Sequence, residues 1–426
     1  MPSSYRRLQP LALAAFLIAA TASTASLSYA APQKPTTTGK NAFTVLTAAV
    51  AGIKDGKKID YAVARSHDTA ADPNNREYSA AEMAKLVDEN RGILTQARSA
   101  LILPYVPPPA NTPGVKFPYL TKLREIARLF LLEAMVEESQ GKWAAAMNSR
   151  LDAVALGEKI QANTVMMGAL VGVACEAIGM RSEWDNVEHL NAAESKTAAR
   201  RLEALIAGHP PLMNTFRNEV RLQRLGLSGF YQSTDPVSYL KSGGAEITED
   251  EAPMIGNAHA ELHRAGLDTA FCDFDNAVAV SLTRVSGIWQ APSGPESRPG
   301  KLMVTRLFLS PISPKFRFKV LLGETQARLL LTNLAIRAYR LDNGKYPDSL
   351  KDLCPKYLKA PPSDLFSDNQ PLKYGHIGES PLIYSIGPDG VDDSGQPILS
   401  ADAKDDASRY FVLYESEGDI VGGTNT

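Results

Sequence analysis

A mostly α-helical fold, with a helical bundle body followed by a small α+β domain of one long helix plus an antiparallel sheet, is what this 426-residue sequence predicts. Three observations carry the prediction. Apolar residues recur at helical spacing from about residue 42 to residue 281, glycine and proline punctuate the chain at helix lengths, and after Pro361-Pro362 the pattern changes to short runs between Gly, Asp and Ser turns.

The N-terminus decides the expected compartment. Met1–Pro10 carries Arg6 and Arg7 without an acid, Leu11–Ala22 is apolar, and Ser28-Tyr29-Ala30 is a small-x-small cleavage site. Together they have the grammar of a secretory signal peptide over residues 1–30, so the chain is expected to be periplasmic or secreted. The apolar run is shorter than the ~20 residues a bilayer core requires, and no later stretch reaches that length free of charge. No integral membrane span is therefore expected after cleavage. Removing residues 1–30 takes away Arg6 and Arg7 and no acid, which moves the net charge from −2 to −4. So even a balance argues against nucleic acid as a partner and against steering toward an anionic membrane. Cys175, Cys272 and Cys354 are odd in number and widely spaced, which allows at most one internal bridge and gives no Cys-x-x-Cys pattern; Cys175 sits in an apolar run and reads as core.

Residues 31–40, rich in Pro, Thr, Lys and Gly, predict a disordered lead. N-terminal helices are expected within 41–103. One covers Ala42–Ile53, and another starts at the capping box Ser79-Ala80-Ala81-Glu82, with Asp55–Tyr78 as a polar connection. Pro107-Pro108-Pro109 makes 104–118 a linker, because proline lacks the amide and excludes the α region for its predecessor. A helical bundle is expected over 119–300. Leu120–Gln140 and Lys142–Ile160 form a helical hairpin across Gly141 that resembles one tetratricopeptide unit, but no second copy follows at a fixed period. Thr164–Trp184, rich in Ala, Gly, Val and Met, predicts a helix buried on most faces, too charged at Glu176 and Arg181 for a membrane. Further helices are expected at Ala192–Ala207, Phe216–Leu227, Ile255–Ala265 and Thr269–Ser281, with a loop at Ala291–Gly300.

His259 and His263 share a helix face at i and i+4, the spacing used by zinc proteases. The protease base is missing, because Glu261 is two residues from each His and turned away at ~100° per residue, and no third ligand presents itself. A polar helix face is the better reading. A Gly-x-Ser-x-Gly elbow, a Gly-Lys-Ser/Thr phosphate loop and a Gly-x-Gly-x-x-Gly fingerprint are all absent. Glu137-Glu138 and Asp405-Asp406 read as solvated acids.

Toward the C-terminus, Phe316–Leu341 predicts one long helix that stops at Asp342-Asn343-Gly344, with Pro347 preventing its resumption. A short helix at Ser349–Leu353 follows, then strands at Leu372–Tyr374, Leu382–Ile386 and Tyr410–Tyr414, and a flexible tail at 417–426. The run Ala338-Tyr339-Arg340-Leu341-Asp342-Asn343-Gly344-Lys345-Tyr346-Pro347 comes first, followed by Asp364-Leu365-Phe366, Pro371-Leu372-Lys373-Tyr374 and Tyr384-Ser385-Ile386-Gly387-Pro388-Asp389-Gly390. In that order they resemble the C-terminal domain of the major pseudopilins of type II secretion, the protein G-like family, over residues 316–416.

The resemblance implies a calcium loop. Asp389 matches the family's acidic ligand and Ile386 the position of a backbone carbonyl ligand, while Asp392, Asp393 and Ser394 add hard oxygen donors. The second acidic ligand has no clear match, since the insertion Gln396–Ala407 carries its own Asp402, Asp405 and Asp406. A pseudopilin begins with a prepilin-peptidase site and an apolar filament helix; here the domain lies at the far end of the chain, as a borrowed module. The expected role is an exported, non-enzymatic envelope or secreted protein, binding or structural, whose helical body offers a groove to a protein or peptide partner. The alternatives are an exported hydrolase with a site between body and C-terminal domain, using His259 and His263 or carboxylates, and an accessory component of a type II secretion or pilus-like machine.

Overall fold

The structure is a computed structural model that describes residues 41–64, 78–108, 118–180, 183–243, 245, 247–285, 289–290, 300–308, 314–400 and 408–425. The signal peptide expected over residues 1–30, the lead expected at 31–40, most of the proline-rich segment and Asp402, Asp405 and Asp406 lie outside the described residues. What is described is mostly helical with a small three-stranded antiparallel sheet.

Helix α1 (Ala42–Ala51) begins at Asn41, whose Oδ1 accepts from Phe43 N at 3.0 Å and from Val106 N at 3.0 Å. The cap therefore also ties down the start of the segment expected to be a linker, and Tyr105 beside it is buried. The polar connection expected after α1 instead holds a helix, α2 (Gly56–Ala64). Its few apolar residues, Ile59, Ala62 and Val63, recur at i, i+3 and i+4 and are buried, which suffices for a short amphipathic helix even in a charged segment. Helix α3 (Ala80–Glu89) carries the expected capping box between Ser79 and Glu82, and α4 (Arg91–Leu101) follows it.

Helices α5 (Pro118–Ser139) and α6 (Trp143–Gln161) form the hairpin, turning at Gly141 with a φ of 70°. The single helix expected over Thr164–Trp184 is split into α7 (Met166–Gly179) and α8 (Glu183–His189). Its small residues do permit close approach: a Cβ on Gly172 would lie 2.6 Å from the Gly157 carbonyl of α6, and one on Gly179 would lie 2.6 Å from the Arg150 carbonyl. Neither side chain fits without moving backbone. Helix α9 (Ala192–Gly208) starts at an Asn191–Glu194 capping box. A second cluster gathers α10 (Leu212–Gln232), α11 (Pro236–Ser242), α12 (Ala252–Ala265), α13 (Leu267–Val285) and α14 (Met303–Phe308) around Phe216, Phe230, Phe274 and Phe308.

The long C-terminal helix, α15 (Pro314–Asn343), stops where Gly344 adopts a φ of 73°. Leu329, Leu330, Leu331, Leu334, Ala335 and Ile336 are all buried, so this helix is apolar around most of its girth. One core explains why. It joins Leu151 and Val154 of α6, Ala199 and Leu202 of α9, Leu330 and Leu334 of α15, and Ile383 and Ile420 of the sheet. Helix α15 is thus sandwiched, with the helical body on one side and the sheet on the other.

The sheet has the order β1 (Lys373–Ile377), β2 (Ser380–Ser385) and β3 (Ile420–Val421), antiparallel throughout, with Lys373 opposite Tyr384 and Tyr384 opposite Val421. Two expectations are corrected here. Tyr410–Tyr414 is not a strand; a 3-10 turn covers Ser408–Tyr410, Phe411 is 61% exposed, and the free edge of β2 is taken by Ile420–Val421 instead. The expected tail is likewise part of the fold, since Ile420, Val421 and Asn425 are buried and a Cβ on Gly422 would strike the Trp184 ring at 2.4 Å. Two glycines after an apolar pair look like a disordered end, but here they admit an indole face.

Candidate functional site

The loop that follows β2 gathers carboxylates from distant parts of the chain. Asp389 Oδ1 accepts from Val391 N at 3.1 Å and its Oδ2 from Gly418 N at 2.9 Å. Asp392 Oδ1 accepts from Tyr384 Oη and Ser394 N, both at 3.1 Å, while Oδ2 pairs with Lys373 Nζ at 2.8 Å. Ser394 holds a φ of 60°, which folds the turn back. Asp393 and Ser394 are exposed, and Ile386 is buried, with its amide donating to Asp364 Oδ2 at 2.9 Å.

A further carboxylate reaches the loop from the segment before β3. Asp419, fully buried, accepts from Gly395 N at 2.7 Å and Asp393 N at 3.4 Å. Burial pushes its pKa up, the two amides pull it down, and the charges of Asp392 and Asp393 push it up again, to about 6. Its signal in the sequence is slight: an acid directly before the apolar pair Ile420-Val421.

The donor set of the loop is hard oxygen throughout, and the repulsion among its carboxylates is what a divalent cation offsets, so the residues fit calcium chemically. Their present geometry serves the backbone. Among the described residues no three His, Cys, Asp or Glu side chains converge in a way that could hold a metal. Asp389 and Asp419 instead staple the 391–395 turn to the 418–419 segment, and Trp289 Nε1 closes the same loop onto the body by donating to the Pro388 carbonyl at 2.8 Å.

A second cluster lies where α15 meets the body. His209, at the end of α9, places Nε2 3.0 Å from Glu176 Oε1 of α7 and Nδ1 3.6 Å from Glu324 Oε1 of α15. Gln161 of α6 donates to Glu176 Oε1 at 2.6 Å, and Arg328 pairs with Glu324 at 3.6 Å while donating to Ser363 Oγ at 2.6 Å. Burial pulls the His209 pKa down, but the hydrogen bonds and charges of Glu176 and Glu324 outweigh it and raise it to about 10. His209 thus lies between two acidic side chains that favour its protonated form, while burial raises the pKa of Glu176. The His209-Pro210-Pro211 sequence signals only a helix stop; nothing local shows that Glu176 and Glu324 face it.

On α12 the i, i+4 spacing does bring His259 and His263 together, with Nε2 atoms 3.2 Å apart. Glu261 turns away, as its position requires, and accepts from Met303 N at 2.6 Å at the start of α14. A shallow hollow lies between α6 and α9, lined by Ala144, Met147, Leu190 and Ala198. At its edge the rings of Trp143 and His189 stack at 3.7 Å. No helix among the described residues is long and apolar enough to cross a membrane. No family model, curated protein or solved structure matches the chain.

Proposed function

We propose that this is an exported, non-catalytic binding or structural protein, in which a pseudopilin-like C-terminal unit is stabilised by calcium at the loop 386–395. The observation that carries the reading is the return of Asp419 to that loop. Four acids, Asp389, Asp392, Asp393 and Asp419, border one turn with the Lys373 ammonium on one of them. Asp389 and Asp419 would supply the carboxylate ligands, the Ile386 carbonyl and Ser394 further oxygens, and Asp392 a ligand once released from Lys373. The ion would supply charge balance to the loop and no chemistry of its own. A protein or peptide partner would lie along the hollow between α6 and α9, where Trp143 offers an aromatic anchor at the rim.

A hydrolase reading would draw on Glu176, His209 and Glu324 between the body and α15. These side chains are 3%, 9% and 23% exposed and answer one another, which favours a structural role.

Thermal unfolding of the full chain with calcium and with chelator tests the proposal. At a hundredfold excess over the dissociation constant, calcium is expected to add about 2.7 kcal/mol of stability, and Asp389→Ala and Asp419→Asn are expected to abolish the gain. The gain should also shrink from pH 7.5 to pH 5, because Asp419, with its pKa raised to about 6, binds a proton in place of the ion. Equal midpoints with calcium and chelator in the unaltered chain would remove the ion from the account.

A further inference from the structure

The pair on α12 belongs neither to the loop nor to the Glu176–His209–Glu324 cluster. His259 is half-buried and His263 exposed. Their rings are held from the side by the end of α10: Tyr231 stacks on His263 at 4.6 Å and 23°, and Phe230 meets His259 edge-on at 5.1 Å and 87°.

Two ring nitrogens 3.2 Å apart, each ~2.0–2.1 Å from a shared ion, subtend an angle of about 100° at it, near tetrahedral. We propose that His259 and His263 form a two-imidazole site for a divalent transition-metal ion such as copper or zinc, with water in the remaining positions. The ion takes the place of the single proton the two nitrogens share between them. Glu261 does not complete the set, because its carboxylate is committed to the amides of α14. Imidazole nitrogen selects copper and zinc, whereas the 386–395 loop offers oxygen, so the two sites differ in the ions they take.

Titration of the tag-free full chain with copper(II) alone, read by calorimetry and by electron paramagnetic resonance at substoichiometric copper, tests this. The expected result is one site with two coupled nitrogens. Because His263 is exposed, His263→Gln leaves the fold intact by circular dichroism, and it should weaken copper by more than the roughly 10- to 100-fold that outer-sphere changes cost. His259→Ala should do the same, and His376→Ala should change nothing. Unchanged copper binding in the His259→Ala/His263→Gln double variant, or fewer than two coupled nitrogens in the unaltered chain, would overturn the proposal.

Discussion

Replacing His209 with alanine is expected to destabilise the protein by about 3–5 kcal/mol at pH 7, measured by urea unfolding, because it takes away the cation that offsets burial of the Glu176 carboxylate, whose pKa burial already raises. Glu324 would lose one of its two basic neighbours as well, keeping Arg328 at 3.6 Å. Glu176→Gln in the same chain should recover part of the loss, since a neutral amide removes the stranded charge while still meeting Gln161; a double-mutant cycle isolates that coupling. The pH dependence has a definite sign. The folded-state pKa of His209, about 10, lies above its ordinary value near 6.5, so the stabilisation is fully present below pH 6.5 and is lost as pH rises toward 10. The His209→Ala variant should show a flatter stability profile over that window. An identical slope in both chains would mean that the imidazolium does not hold the joint.

Leu334→Ala is the second large effect. Leu334 is fully buried in the core that joins α6, α9, α15 and the sheet, and truncation there is expected to cost about 2–5 kcal/mol, the range for a leucine cavity. The distinguishing feature is where the loss is felt. Far-ultraviolet circular dichroism, dominated by the helical body, and tryptophan fluorescence, to which Trp289 docked on the loop after β2 and Trp184 against Gly422 contribute beside Trp143, should shift to the same lower midpoint. Were the C-terminal unit independent, the tryptophan signal alone would move.

The helices and their stops were legible because they depend on local chemistry. The Ser79 and Glu82 capping box, the turn at Gly141 and the end of α15 at Gly344 each follow from residues a few positions apart. Helix α2 was hidden because three small or branched residues in a charged segment make a weak periodic signal, and they become decisive only against the helices around them. Strand β3 is two residues long, too short for alternation to register, and it is defined by the edge of β2 rather than by its own composition. The site divides the same way. Asp389, Asp392, Asp393 and Ser394 were legible as one turn, whereas Asp419 reaches them only because β3 returns the chain to Gly395. Glu176, His209 and Glu324 come from three helices, and only the packing of α15 onto the body brings them into one cluster.

Through that packing body and C-terminal unit share one core, with α15 between them. Native-state hydrogen exchange on the full chain tests it most directly. The amides of Ile383 and Tyr384 in β2 should open with the same free energy as those of Leu151 and Val154 in α6, all four rising and falling together with denaturant. Exchange of the β2 amides through a separate opening of lower free energy, with the α6 amides still protected, would contradict it.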